Sequence, residues 1–141
     1  MMTTTKLKVT GINHVVLHVK DLERSKKFYV DVLGFEDRNV SVGPNMKATF
    51  LRCGAQGLDL FEVSAADVHG GEEMNHMALC VDLNNVDDIQ VVLSRCGIAT
   101  SERTPRDTLF ISDPDGHRIE MLPLSASERA LEREAARTSG G

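Results

Sequence analysis

FISDPDGHRIEML, residues 110–122, decides the fold of this chain. Its Asp-Pro-Asp-Gly portion, residues 113–116, predicts a tight turn, because proline presets φ at the second turn position and glycine suits the fourth. The residues after the turn alternate as in a strand, with Ile119 and Met121 on one side and Glu120 on the other. A carboxylate within a half-apolar strand is costly to bury alone. Glu120 therefore needs a cation, and a metal ion is one candidate.

An internal repeat relates two parts of the chain. The pattern Asn-His-x-x-Leu-x-Val occurs at Asn13–Val19 and at Asn75–Val81, so that His14 and His76 are 62 positions apart (76 minus 14). Each copy continues into apolar residues at helical spacing and then into strand-like stretches. A capping residue opens each predicted helix and a glycine closes it: Asp21 and Gly34 in the first copy, Asn85 and Gly97 in the second.

The repeat predicts a single α+β domain over residues 1–141. Each copy is roughly a βαβββ module, the first over residues 11–66 and the second over residues 73–123. The strands between each helix and its last two strands are poorly marked. A capping box that begins at Ser125 predicts a polar C-terminal helix over residues 125–137.

The pleat of the predicted strands places four polar side chains opposite the apolar faces. The repeat pairs the two histidines with each other, and the two acids with each other. Two sheets that curl about an approximate two-fold axis would bring all four into one concave site: His14, Asp59, His76 and Glu120. His18 lies further along the face of His14, and it is the best candidate acid or base because the imidazole pKa lies near neutrality. Alternatively, His18 lines the wall of the pocket and has no chemical role.

This donor set suits a divalent metal ion. Two imidazoles and one carboxylate leave coordination positions open, as in Fe²⁺ sites where O₂ and a bidentate substrate bind together. The same set serves Mn²⁺, Ni²⁺, Co²⁺ or Zn²⁺ acting as a Lewis acid. Asp59 discriminates between these chemistries. As a fourth ligand it favours proton transfer on a chelated substrate, and as a neighbour of the ligands it orients one of them or a water.

Composition excludes several other classes. A net charge of -5 without a basic run argues against nucleic-acid binding, and no apolar stretch approaches the length of a membrane span. The first ten residues lack an apolar signal core, so we expect a cytoplasmic protein. Cys53, Cys80 and Cys96 form no CxxC pair, which argues against a disulfide framework or a thiolate zinc site.

The two Asn-His motifs, the first predicted helix with its closing Gly34, and the segment Asp113–Glu120 together resemble the vicinal oxygen chelate superfamily. This superfamily includes glyoxalase I, methylmalonyl-CoA epimerase, fosfomycin-resistance transferases, extradiol dioxygenases and bleomycin-resistance proteins. The resemblance covers roughly residues 11–123. It implies paired βαβββ modules that form an open half-barrel around a metal site, usually in a homodimer. The metal ligands of the family map onto His14, His76 and Glu120, and the fourth ligand of its glyoxalase and epimerase branches maps onto Asp59.

Three functions compete for this chain, each with a small-molecule ligand. The leading interpretation is a ring-cleaving, extradiol-like Fe²⁺ dioxygenase acting on vicinal oxygens, although Asp107 and Phe110 stand where that branch carries a histidine and a tyrosine. The first alternative is a glyoxalase- or epimerase-like isomerase or lyase, which Asp59 supports. The second is a metal-free resistance or ligand-binding protein, although such members tend to lose the ligands that this chain keeps.

Overall fold

Two four-stranded sheets, each accompanied by a helix, make up the fold in this computed structural model, which describes residues 6, 8, 12–40, 43–99, 101–126, 129 and 137. The strands are β1 His14–Val19, β2 Glu36–Asp37, β3 Ala48–Cys53, β4 Gln56–Glu62, β5 Met77–Cys80, β6 Glu102–Arg103, β7 Leu109–Ser112 and β8 Arg118–Leu122. The helices are α1 Leu22–Lys27, extended by a π-helical segment Phe28–Val32, and α2 Val86–Arg95, with a 3₁₀ turn at Ala65–Asp67.

The two sheets repeat one topology. Their strand orders are β1-β4-β3-β2 and β5-β8-β7-β6, so the first strand of each half pairs with its last strand. That pairing is parallel in both sheets, and the remaining pairings are antiparallel. Both sheets stay open, with β1 and β5 at an edge. The predicted α+β fold of paired modules is therefore confirmed, and the poorly marked strands prove to be β2 and β6, each only two residues long.

Both helices begin where the sequence predicts. The Asp21 carboxylate accepts a hydrogen bond from Arg24 N at 3.1 Å, and the Asn85 side chain accepts one from Asp88 N at 3.0 Å. Glycines with positive φ follow both helices, at +75° for Gly34 and +83° for Gly97. Only glycine adopts this conformation at little cost, so these positions end the helices.

The apolar core lies between the helices and one face of each sheet. Alternation along β1 is as predicted, because Leu17 and Val19 are buried while His14 and His18 are exposed. Buried apolar residues of both halves join in one cluster, among them Leu58, Leu60, Ile89, Leu93, Ile119 and Met121. This shared core fixes the helices against the sheets and leaves the other strand faces for polar residues.

The predicted turn at residues 113–116 is a junction between the halves. The Asp113 carboxylate accepts hydrogen bonds from Asp115 N at 2.8 Å and His117 N at 2.9 Å, which close the turn. Asp115 in turn accepts from Ser25 Oγ at 3.0 Å. A Cβ added to Gly70 would lie 2.4 Å from the Asp115 carbonyl oxygen. The loop between the modules therefore packs closely against this turn.

Most of the C-terminal helix predicted for residues 125–137 lies outside the described residues. Among the helices that are described, none has the length and apolar character needed to cross a bilayer. The cytoplasmic location stays a prediction.

Candidate metal centre

The first pair of predicted ligands, His14 and Asp59, meets across β1 and β4. His14 Nε2 lies 3.7 Å from Asp59 Oδ2. Asp59 is only 7% exposed, and its Oδ1 atom is buried without a hydrogen-bond partner. An orphaned buried carboxylate oxygen is costly, and a cation beside it removes that cost. This orphaned atom is therefore the clearest indication that the site fits a metal ion.

Local packing leaves room for the His14 imidazole. Gly57 stands opposite His14 in the parallel ladder, and a Cβ at Gly57 would lie 2.9 Å from His14 Cβ. The Asn13 side-chain oxygen lies 2.8 Å from His14 Nδ1. Because an amide oxygen only accepts, Nδ1 carries the proton and Nε2 keeps its lone pair toward Asp59.

The second pair, His76 and Glu120, repeats this arrangement in the other sheet. His76 Nε2 lies 3.5 Å from Glu120 Oε1. The Asn75 side-chain oxygen lies 2.8 Å from His76 Nδ1 and accepts its proton, which again leaves Nε2 as the ring nitrogen that could bind a metal ion. The Phe110 ring packs edge-on against the imidazole at 5.1 Å between centroids and limits its rotation.

Unlike Asp59, Glu120 is held by a hydrogen bond and by an ion pair besides its contact with the imidazole. It is 3% exposed, and its Oε2 accepts a hydrogen bond from Thr108 Oγ1 at 2.7 Å. The Arg106 guanidinium lies 3.5 Å from the same oxygen. Glu120 Oε1 is thus the atom directed at His76.

Each chain therefore carries two half-sites of one imidazole and one carboxylate. Within the described residues, no group of three or more His, Cys, Asp or Glu side chains is close enough to hold an ion. A single chain does not gather the four predicted ligands into one cluster, because each pair belongs to its own sheet. The assignment of these residues as metal ligands stays a prediction.

Each half-site has the dimensions of one edge of a metal site. Two ligand atoms bound at about 2.1 Å to one ion lie about 3 to 3.5 Å apart. The two imidazole–carboxylate separations of 3.7 and 3.5 Å are close to that range. Neutral imidazoles and carboxylates together suit borderline divalent ions.

His18 lies beside a cavity rather than within either pair. Its carbonyl oxygen is 3.0 Å from His117 Nε2, and His117 is 7% exposed although its place beside a turn suggests the surface. The cavity has a volume of about 500 Å³ and is lined by polar residues that include His18, Asp67, His69, Glu72, Glu73 and His117. It offers space for a substrate next to the exposed face of β1, and the acid–base role of His18 stays a prediction.

Two further residues with functional side chains, Arg118 and Tyr29, are engaged away from the two pairs. The Arg118 guanidinium lies 4.4 Å from the centre of the Phe110 ring and 3.7 Å from Glu102. Tyr29, the only tyrosine, is fully buried. A buried tyrosine of this kind does not reach a substrate.

Sequence reasoning missed the residues that orient the ligands. Asn13 and Asn75 precede the histidines in both copies of the repeat, so the signal was present in the motif. Gly57 and Thr108 carried no such signal, because their roles depend on cross-strand neighbours.

Comparison with known proteins places these features in context. Residues 11–121 match the family model for the Glyoxalase/Bleomycin resistance protein/Dioxygenase superfamily. A lactoylglutathione lyase of Haemophilus influenzae is 32% identical over 136 residues, covering 85% of this chain and 97% of the relative. A lactoylglutathione lyase of Escherichia coli O157:H7 is 29% identical over 137 residues, covering 84% of this chain and 96% of the relative.

Solved structures share the fold. A genomically encoded fosfomycin resistance protein of Listeria monocytogenes superposes with a TM-score of 0.69 at 21% identity, covering 89% of this chain and 100% of that one. A lactoylglutathione lyase of Agrobacterium tumefaciens gives a TM-score of 0.57 at 23% identity, covering 83% of this chain and 96% of that one.

Proposed function

This chain belongs to the glyoxalase/bleomycin resistance protein/dioxygenase superfamily, and from that premise we propose that it is a metal-dependent lyase of the glyoxalase type. The substrate class is the hemithioacetal that a 2-oxoaldehyde forms with a thiol. The observation that carries this proposal is the buried, unpartnered Oδ1 of Asp59 beside His14. It supports Asp59 as a fourth protein ligand, and a fourth protein ligand favours proton-transfer chemistry over O₂ chemistry in this donor set.

Two further observations favour the lyase over the ring-cleaving dioxygenase that leads the interpretation from sequence. Relatives that match most of this chain are named lactoylglutathione lyases. The only tyrosine is buried and donates to Asp113, so Tyr29 is not available to anchor or protonate a catecholic substrate. The favoured metal accordingly shifts from Fe²⁺ to a Lewis acid such as Ni²⁺, Co²⁺ or Zn²⁺.

A homodimer would complete the site. Two ligands per half-site are too few for a stable mononuclear centre, and each chain carries one half-site of each kind. A two-fold partner would set the first pair of one chain against the second pair of the other. The edge strand β1 supports this proposal, because Val16 is 45% exposed in its centre and Ile12 is 72% exposed just before it.

In the proposed reaction, His14 and His76 would hold the ion through Nε2, Glu120 would hold it through Oε1, and Asp59 would hold it through its carboxylate. A bound divalent ion would stabilise negative charge on the chelated substrate oxygens. A carboxylate of the site removes a proton from the carbon that bears sulfur and returns it to the neighbouring carbon, while the hydroxyl proton passes to the neighbouring oxygen, so that a 2-hydroxy thioester forms. The cavity beside His18 receives the remainder of the thiol.

The direct test is reconstitution of the purified protein with Ni²⁺, Co²⁺, Zn²⁺ or Fe²⁺, followed by assay of thioester formation from methylglyoxal. Glutathione and cysteamine are the thiols used in the assay. Cysteamine is included because the acidic and imidazole side chains that line the cavity suit a cationic thiol. We expect thioester formation with at least one metal and little with the metal-free protein. Thioester formation with none of them, or O₂ uptake with catechols and Fe²⁺, would contradict the proposal.

The shared site has its own test. Asp59→Ala disables the first half-site and His76→Ala disables the second. If sites form between chains, mixing and re-annealing the two variants restores about one quarter of the wild-type activity, because half of the dimers are mixed and each has one intact site. No restoration in dimers shown to be mixed would place the site elsewhere.

A further inference from the structure

The Phe110 ring contacts both the His76 imidazole and the Arg118 guanidinium. It packs edge-on against the imidazole, with 5.1 Å between the ring centroids and 82° between the ring planes. The central carbon of the Arg118 guanidinium lies 4.4 Å from the centre of the Phe110 ring. Both separations are those of favourable aromatic and cation–π contacts. The three side chains therefore form one continuous cluster that ends at a predicted metal ligand.

The register of the second sheet brings these side chains to one face. Phe110 on β7 pairs with Glu120 on β8, and Glu120 pairs with Ala78 on β5. Arg118 lies two residues before Glu120, and His76 lies two residues before Ala78. Because side chains two residues apart leave a strand on the same side, all three members of the cluster lie on the face that carries Glu120.

The corresponding position of the first sheet holds a glycine. In the internal repeat Asp59 corresponds to Glu120, and the residue two places before Asp59 is Gly57. A glycine has no side chain that could cover an aromatic ring. The first half-site therefore lacks the cation contact that Arg118 makes in the second half-site.

The aromatic rings of the two sheets also differ in their partners. Phe50 is the counterpart of Phe110, because it pairs with Asp59 in the same register. The Phe50 ring packs against Phe61, with 6.3 Å between the ring centroids. Among the residues that the structure describes, no aromatic ring packs against His14. The imidazole of the second half-site is therefore the more restrained of the two.

Two contacts restrain the His76 imidazole in different ways. The Asn75 side-chain oxygen, 2.8 Å from Nδ1, fixes which ring nitrogen carries the proton. The Phe110 ring fixes the plane of the imidazole, and Arg118 holds the Phe110 ring from the neighbouring strand. A ligand that already has its bound orientation loses less side-chain entropy when a metal ion binds, so the metal affinity rises.

We propose that Arg118 is a positioning residue that acts through Phe110 to hold the His76 imidazole in the orientation that binds the metal ion. The inference rests on His76 as a metal ligand of the proposed function, and its test needs no turnover. Glu102 lies 3.7 Å from the Arg118 guanidinium, but the Glu102 side chain is 78% exposed. An exposed ion pair contributes little, so the contact of Arg118 with the Phe110 ring is the one that holds the cluster together.

Co²⁺ affinity is the first measurement. Dissociation constants from competition with a chromophoric chelator are compared for the wild type, Phe110→Leu, Phe50→Leu, Arg118→Met, Arg118→Lys and Glu102→Gln. Phe110→Leu keeps an apolar side chain but removes the ring, so we expect the constant to rise about tenfold or more. Arg118→Met keeps an unbranched side chain but removes the cation, and we expect a rise of about five- to tenfold. Arg118→Lys keeps a cation near the ring and should restore the constant to within about twofold of the wild type.

Two matched controls separate the cluster from general effects on the fold. Phe50→Leu makes the same change at the equivalent place in the first sheet, where the ring contacts Phe61. Glu102→Gln removes the ion pair with Arg118 but leaves the guanidinium on the Phe110 ring. We expect both constants to stay within about twofold of the wild type.

The orientation of the imidazole is the second measurement. In the metal-free protein, the imidazole proton resonances of His76, assigned by comparison with His76→Gln, carry a ring-current shift from the nearby Phe110 ring. We expect Phe110→Leu to remove this shift, Arg118→Met to reduce it, and Arg118→Lys to restore it. The d–d spectrum of the Co²⁺-loaded Arg118→Met protein should also differ from that of the wild type, whereas the Glu102→Gln spectrum should not.

Several outcomes would overturn the inference. One is a folded Arg118→Met protein with an unchanged Co²⁺ constant and unchanged His76 resonances. Another is an equal loss of affinity in Phe110→Leu and Phe50→Leu, since the loss would then come from general destabilisation. If Phe110→Leu does not fold, Arg118→Met and Arg118→Lys decide the question, and equal losses in these two contradict the cation contact.

The proposed function fails separately from this inference. A wild type that binds Co²⁺ but forms no thioester refutes the lyase and leaves the affinities to decide the role of Arg118. A wild type that binds no metal ion refutes both the metal centre and the positioning of His76 for it.

Discussion

The Tyr29 hydroxyl donates a hydrogen bond to Asp113 Oδ2 at 2.7 Å, although 84 residues separate them in the chain. Tyr29 is fully buried and Asp113 is 5% exposed. The bond ties the π-helical segment of the first half to the turn of the second half. Together with the hydrogen bond from Ser25 Oγ to Asp115, this junction holds the two halves of the fold against each other.

Tyrosine ionisation should report on this junction. Burial, and secondly the negative charge of Asp113, raise the pKa of Tyr29 far above its ordinary value. Above about pH 10 the unfolded chain loses the tyrosine proton while the native protein keeps it, so stability falls as the pH rises, by up to about 1.4 kcal/mol per pH unit. Because the chain has one tyrosine and no tryptophan, an absorbance titration isolates this group. We expect tyrosinate to form only as the protein unfolds, and a native protein that titrates near pH 10 would contradict the burial.

Gly57→Ala should weaken the first half-site. The added Cβ would lie 2.9 Å from His14 Cβ, so His14 must shift from its present position beside Asp59. Metal affinity, measured by chelator competition, should fall about tenfold. Gly43→Ala is the matched control, since a Cβ there meets nothing within 4 Å. Equal affinities for the two variants would show that His14 does not depend on this space.

Asn75→Ala should weaken the second half-site without removing a ligand. The substitution frees His76 Nδ1 from its acceptor at 2.8 Å, so the proton is no longer fixed on that nitrogen and the ring can turn. We expect metal affinity to fall about 10- to 100-fold. Asn84→Ala is the control, because Asn84 accepts a hydrogen bond from Ser125 N at 3.0 Å through its backbone carbonyl, which the substitution keeps. A similar loss in both variants would point to general destabilisation instead.

Gly70→Ala should destabilise the whole fold. Its Cβ would lie 2.4 Å from the Asp115 oxygen and 2.8 Å from His117 N, and both are backbone atoms that cannot yield without moving the turn. Overpacking of this kind costs about 1–3 kcal/mol. Urea unfolding compared with Gly43→Ala measures the cost. A midpoint equal to that of the control would show that the loop and the turn are not in close contact.

The repeat made much of the fold predictable. Asn-His-x-x-Leu-x-Val at two places fixed the first strand of each half, and capping residues with closing glycines fixed both helix starts and ends. The short strands β2 and β6 were expected within each βαβββ module but could not be located, because two residues carry no periodicity. They form only by pairing with β3 and β7.

The sequence by itself determined the duplicated α+β fold and which imidazole and which carboxylate belong to each half, because alternation along a strand and a repeated motif are local properties. Only the tertiary structure decided that these predicted ligands form two separate pairs in the described part of one chain, since that depends on the placement of whole sheets. It also decided that Glu120 is anchored by Thr108 while Asp59 Oδ1 is left without a partner. Those differences arise from cross-strand neighbours, which no local pattern specifies.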